Sequence, residues 1–150
     1  MEWVKPLHGT IVGLDTAPLI YLIEESSTYL PIVRPFFEAV DRGDIHVVTS
    51  ILTLTEVLVH PLRHGNKQLA DSYRRILLQA NHITTVPVTE AIAQQAAQLR
   101  AVDGLRTPDA IQVATAVQAG ASFFLTNDRA LSRLTSVKVL ALDQFIGSTS

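Results

Sequence analysis

Five short apolar runs, separated by longer segments of helical period, constrain the fold of this chain more than any other feature. Thr10-Ile11-Val12-Gly13-Leu14 is almost wholly apolar and ends at Asp15, the pattern of a central parallel strand buried on both faces. Further strands are predicted at 45–48, 82–88, 122–125 and 137–140. Helical segments fill the intervals. Asp15-Thr16-Ala17-Pro18 opens one that runs to about Glu24, and another follows Pro31 and stops at Arg42-Gly43-Asp44. A short helix over 50–60 is expected to halt at Pro61, and a longer one covers 66–80. Thr89 caps a helix through about Arg100, Thr107-Pro108 begins one that reaches Gly120, and a short one covers 142–146. The order βααβααβααβαβα implies parallel strands joined by right-handed crossovers, with helices on both faces. The expected fold class is therefore α/β, a three-layer α/β/α sandwich with a central, mostly parallel sheet of about five strands. No linker or low-complexity stretch divides the 150 residues, so 1–150 reads as one domain, with residues 1–9 a lead of unassigned role.

Composition removes whole classes of chemistry. The chain has no cysteine, which excludes disulfide frameworks, thiolate zinc sites, iron–sulfur clusters and cysteine nucleophiles. Any metal must take oxygen or imidazole ligands. Glu2, Lys5 and Pro6 interrupt the N-terminus where a secretory signal would be apolar, so the mature chain is expected to begin near Met1. The longest uncharged stretch, 110–127, carries Gln112, Thr115, Gln118, Gly120 and Ser122 and does not read as a membrane span. A soluble cytoplasmic protein is expected. Gly-x-Ser-x-Gly, Walker A and dinucleotide glycine motifs are all absent. His60 and His64 bracket Pro61-Leu62-Arg63, too irregular for a helical metal pair, and His8, His46 and His82 are scattered.

The placement of the acids carries the information. Asp15 lies at the end of the first strand and Asp128 just past the fourth, while Glu56 and Asp109 fall early in helices that follow loops. In an open parallel sheet these positions share one edge, where ligands bind at the topological switch point. Each acid also has a local role open to it. Asp15 and Asp128 are good N-caps, Asp109 is a first-turn acid, and Thr53-Leu54-Thr55-Glu56 matches a capping box. Capping does not explain why all four map to one edge. Net charge is −2, from 12 Lys plus Arg against 14 Asp plus Glu. With four acids committed to one site, the remaining surface is net positive, and most of its bases are arginine, which suits bidentate phosphate contacts.

Leu14-Asp15-Thr16, Thr55-Glu56-Val57-Leu58, Leu105-Arg106-Thr107-Pro108-Asp109-Ala110-Ile111 and Phe124-Leu125-Thr126-Asn127-Asp128 resemble, in order, the four acidic motifs of the PIN (PilT N-terminal) domain. The first motif departs from the commoner pattern, having Ala17-Pro18 where a small polar residue usually follows. Single-domain chains of this length look most like the toxins of VapBC-type toxin–antitoxin pairs, which are ribonucleases. The resemblance implies a metal-dependent endoribonuclease, an RNA substrate, a cognate antitoxin whose tail covers the acidic crevice, and a homodimer, for which the apolar helices between Pro31 and Ala80 are candidates.

Hard carboxylate oxygens favour Mg²⁺ or Mn²⁺, which retain waters and accept phosphate oxygens. Asp15 and Asp109 are the expected principal ligands. Asp128 and Glu56 would bind through water, hold a second metal or orient the nucleophile. Thr16, Thr126, Asn127 and Arg106 are candidates to fix a carboxylate or touch substrate. Two other readings stay open: a catalytically silent RNA-binding domain of the same fold, and another carboxylate-based α/β phosphotransfer enzyme. Against the latter, no second Asp follows Asp15 two residues on, and none of Lys5, Lys67 and Lys138 lies just after a strand end.

Overall fold

The structure, a computed structural model, describes residues 2–147. The expectations that touch Met1 and 148–150 lie outside the described residues. Five strands, β1 (Ile11–Leu14), β2 (His46–Ser50), β3 (Ile83–Val86), β4 (Phe123–Thr126) and β5 (Lys138–Ala141), form one sheet in the order β3-β2-β1-β4-β5. Every pairing is parallel. Six α-helices connect them: α1 (Thr16–Ile23), α2 (Leu30–Asp41), α3 (Ile51–Arg63), α4 (Lys67–Leu78), α5 (Glu90–Asp103) and α6 (Thr107–Gln118). The chain winds outward from β1 through β2 to β3, then returns to place β4 on the other side of β1. The switch point is therefore between β1 and β4.

Alternation along the strands builds two cores. Val12, Leu14 and Val47 pack with the buried faces of α1 to α4, including Leu19, Phe36, Val57 and Tyr73. On the other face, Phe124 packs with Ile92, Ala96 and Leu99 of α5 and with Val113 and Ala114 of α6. This is the expected three-layer α/β/α architecture. Gly13 has a specific place in it. A Cβ there would lie 2.4 Å from Ala116 Cβ and 3.0 Å from Phe124 Cδ1, so the missing side chain lets α6 lie directly on the central strand.

Several local expectations are corrected. Pro61 does not halt α3, which continues to Arg63 with Pro61 buried inside it. The ring forfeits one hydrogen bond in the last turn, a cost that its burial offsets, and only two helical residues follow it. The final helix is a 3₁₀ segment, Leu142–Phe145. The N-terminal lead, given no role by the sequence, packs against the domain. It forms a 3₁₀ turn, Lys5–Leu7, with Val4 and Leu7 buried. Trp3 stacks on Phe36 and Phe145 at centroid distances of 5.9 and 4.4 Å. Among the described residues no helix is long and apolar enough to cross a membrane.

Candidate functional site

The register of β1 against β4 builds the centre of the site. Leu14 pairs with Leu125, and the Asp15 amide donates to the Leu125 carbonyl at 2.9 Å. The next residues, Asp15 and Thr126, are thereby side by side. Asp15 caps α1: its Oδ1 accepts from the Thr16 amide at 2.8 Å, while Oδ2 accepts from the Thr126 hydroxyl at 2.7 Å. Thr126 in turn accepts from the Asp128 amide at 3.1 Å, and Asp128 Oδ1 accepts from the Ala130 amide at 2.9 Å. Both aspartates therefore cap, as their types allow, and both stand at the switch point. Capping and a shared site coexist here because an N-cap carboxylate has more lone pairs than one amide uses.

Glu56 and Asp109 reach the same edge from α3 and α6. The Thr53–Glu56 capping box, the local alternative to a shared site, does not form. Ser50 is the N-cap, its Oγ accepting from the Leu52 amide at 3.1 Å, and Thr53 is buried one turn inside the helix. Glu56 is thus set one turn deeper, free of a capping duty. Asp109 lies in the first turn of α6, and the Arg106 guanidinium approaches its Oδ2 at 3.9 Å.

Electrostatics show that the four acids share one field. Burial pushes the Asp15 carboxyl above its usual range. The Thr126 and Thr16 hydrogen bonds oppose this, and the Asp128 charge adds to it. Partial desolvation likewise raises Asp109, with the Asp15 charge reinforcing, Arg106 opposing and Asp128 reinforcing. Glu56, exposed overall at the mouth of the site, is raised first by the desolvation it still suffers. The nearby Thr16 hydroxyl opposes that, the Asp15 and Asp109 charges reinforce it, and Arg106 opposes it. The Thr16 hydroxyl is buried and lacks a well-formed hydrogen bond, although it lies near enough to favour Glu56 ionisation. Carboxylates held this close favour either a proton or a cation among them.

The fit to a divalent cation follows from the donors. They are hard oxygens, their mutual repulsion is opposed only by Arg106 among the named charges, and the buried Thr16 hydroxyl near Glu56 has no well-formed hydrogen bond. Among the described residues no three acidic or histidine groups close a ready-made cage. The arrangement suits an ion such as Mg²⁺ that takes one or two carboxylates and keeps several waters.

A buried polar relay that no sequence motif announces ties together the elements that carry three of the acids. Gln112, 2% exposed on α6, donates from Nε2 to the Thr53 hydroxyl at 2.7 Å, and its Oε1 accepts from the Ser50 amide at 3.3 Å. Thr53 and Thr49 hydroxyls meet at 2.8 Å, and Thr49 donates to the Leu14 carbonyl at 2.8 Å. Asp109 sits one turn before Gln112, Glu56 one turn after Thr53, and Asp15 directly after Leu14. Only a polar residue inside the apolar α6 stretch could have signalled the relay.

Asn127 is placed away from the role expected of it. Its Nδ2 donates to the Tyr21 hydroxyl at 2.9 Å, and its Oδ1 is buried without a partner. Tyr21 stacks on Tyr29 at 4.3 Å, and the Tyr29 hydroxyl donates to Asp143. His60 and His64 also depart from expectation. Because α3 runs through Pro61, their rings lie 4.3 Å apart at helical spacing. Their exposed position on the last turn of α3 keeps them out of the acidic cluster's hydrogen bonds.

A family model described as the PIN domain matches residues 12–137. No curated protein matches the chain by sequence. Among solved structures, a chain of VapBC2 from Rickettsia felis, bound to a promoter DNA fragment, is similar at TM-score 0.68 and 17% identity, covering 87% of this chain and 98% of its own. VapC20 of Mycobacterium tuberculosis, a sarcin–ricin-loop-cleaving toxin, is similar at TM-score 0.67 and 16% identity, covering 86% and 99%. A toxin–antitoxin complex from Klebsiella pneumoniae gives TM-score 0.64 and 20% identity over 89% and 98%. At these identities the likeness concerns the fold.

Proposed function

The chain belongs to the PIN-domain family, and on that premise we propose that it is a divalent-metal-dependent endoribonuclease, the toxin of a toxin–antitoxin pair. The observation that carries this reading is the convergence of Asp15, Glu56, Asp109 and Asp128 on one electrostatic field at the β1/β4 switch point. Asp15 and Asp109 would hold Mg²⁺ or Mn²⁺, with Asp128 and Glu56 reaching it through water or orienting the nucleophile. Such an ion supplies Lewis acidity toward a phosphoryl oxygen and a lowered pKa for its water.

The protein's own part is positioning. Thr126 and the Thr16 amide each engage one oxygen of Asp15, which fixes the carboxylate and leaves a lone pair on each oxygen for a cation. The Gln112 relay bonds α6 to the start of α3 and would thereby hold Glu56 and Asp109 in register against their mutual repulsion. In this reading Glu56, a solvent-exposed carboxylate of the four, would orient an attacking water or accept its proton.

Support for the toxin assignment comes from the similar folds, which include a toxin–antitoxin complex and a sarcin–ricin-loop-cleaving toxin. A cognate antitoxin is proposed as the partner that covers the acidic crevice. Val59 and Leu62, 46% and 59% exposed on α3, fall in the segment proposed to supply a homodimer contact. The test is cleavage of a pool of single-stranded and structured RNA by the purified chain with Mg²⁺, Mn²⁺ or EDTA, beside Asp15→Asn. Metal-dependent cleavage absent from the variant is expected. Cleavage that survives EDTA, or that Asp15→Asn retains, would refute the reading.

A further inference from the structure

Beside the acidic cluster lies a cleft of about 340 Å³ whose lining joins Asp109 and Asp128 to Arg106 and Arg133. Two acids assigned to the metal site therefore share a cavity with two arginines. The arginines differ in how far they are committed. Arg42, Arg74 and Arg129 approach carboxylates at 3.0, 2.9 and 3.8 Å. Arg100 is fixed on the Leu105 carbonyl and the Thr107 hydroxyl. Arg106 has only its 3.9 Å approach to Asp109, with its side chain 83% exposed. Arg133 is exposed and has no ion pair or side-chain hydrogen bond among the described residues.

Both arginines nevertheless spring from fixed backbone. Arg106 follows the buried Leu105, in a turn that Gly104 makes in the left-handed region at φ 69° and that Arg100 ties down. Arg133 lies between the buried Leu131 and Leu134. An uncommitted guanidinium on an anchored stem, opening on a cleft continuous with a phosphodiester-cleaving centre, is matched by a phosphate.

We infer that this cleft is a binding subsite for the RNA phosphate next to the one cleaved, with Arg133 its principal donor and Arg106 shared between that phosphate and Asp109. The inference rests on the ribonuclease reading above. It also gives the site something the carboxylates lack, since before a cation is bound they repel the substrate backbone. Arg133 and Arg106 would draw an RNA strand across the acids and fix which linkage lies over them.

The test is binding rather than turnover. A fluorescein-labelled, mixed-sequence single-stranded RNA is titrated in EDTA with the full chain and with Arg133→Ala, Arg106→Ala and Arg42→Ala, over a range of salt concentrations. Arg42 pairs with Asp44 at the opposite edge of the sheet and serves as the control. For a single strand, each lost phosphate contact lowers the slope of log affinity against log salt by about 0.7. Arg133→Ala is expected to show that drop, Arg106→Ala a similar or smaller one, Arg133→Lys most of the wild-type slope, and Arg42→Ala no change. A wild-type slope in Arg133→Ala, or an equal drop in Arg42→Ala, overturns the inference. Failure of the ribonuclease reading would look different: RNA bound in the arginine-dependent manner but not cut with Mg²⁺ or Mn²⁺.

Discussion

Gly13→Ala is the substitution whose consequence the structure sets most tightly. The new Cβ would lie 2.4 Å from Ala116 Cβ and 3.0 Å from Phe124 Cδ1, whereas carbon atoms rest at about 3.5–4 Å. The phenyl ring can turn aside, but Ala116 Cβ is one bond from the α6 backbone, so the helix must move by about 1 Å. Overpacking of this kind costs roughly 1–3 kcal/mol. For a chain of this length each kcal/mol lowers Tm by about 2–4 °C, so a fall of roughly 2–12 °C is expected by thermal denaturation. Asp109 rides on the same helix. A 1 Å displacement of a reacting group can cost about 10²-fold in rate, so the proposed RNA cleavage should drop more than the stability loss accounts for. Adding Ala116→Gly removes the obstructing atom at the expense of about 1 kcal/mol of helix propensity. The double variant should recover most activity while its Tm stays below wild type. A Gly13→Ala protein with unchanged Tm and cleavage, or a double variant no better than the single, would refute the close-approach reasoning.

Gln112→Met keeps the volume but removes both relay contacts. A stability loss of about 1–3 kcal/mol is expected by denaturant titration, together with weaker Mn²⁺ binding by calorimetry. Unchanged Mn²⁺ affinity would leave the relay a purely structural device. In EDTA, the raised Asp15, Glu56 and Asp109 carboxyls make the folded chain hold protons that the unfolded chain releases. Their contribution to stability is complete below the ordinary carboxylate range and is lost as pH rises through the raised values. Tm measured against pH should accordingly fall across that window, and Mg²⁺ should restore it at neutral pH. Asp15→Asn should raise the metal-free Tm at neutral pH and flatten the profile while abolishing activity; an equal or lower Tm would count against a crowded site. Tyr73→Phe removes a hydroxyl that donates to Glu24 at the end of α1 opposite to Asp15. It should cost about 1 kcal/mol in denaturant titration and leave the cleavage rate unchanged.

Strands were legible because burial on two faces leaves no choice of residue: β1 reads apolar at every position from Ile11 to Leu14. The acids were legible for a different reason. Strand ends and helix starts of a parallel sheet share an edge whatever the loops do, so Asp15, Asp109 and Asp128 could be mapped from element order alone. What failed depended on contacts distant in sequence. Pro61 looks like a helix stop until its ring is found buried, and Thr53 looks like a cap until Gln112, 59 residues away, is found bonded to it. Gly13 read as one more apolar strand residue because the demand for a missing Cβ comes from Ala116. Asn127 sits between Thr126 and Asp128, yet its amide turns to Tyr21, a choice made by the packing of α1.

The most direct test of the central claim is an EDTA and add-back time course on end-labelled RNA. One preparation is stripped with EDTA, assayed, then returned to excess Mn²⁺ and assayed again, with Asp109→Asn carried through the same steps. The account predicts no cleavage in EDTA, full recovery with Mn²⁺, and no recovery in the variant. Cleavage that continues in EDTA, or that Asp109→Asn recovers to the wild-type rate, would contradict it.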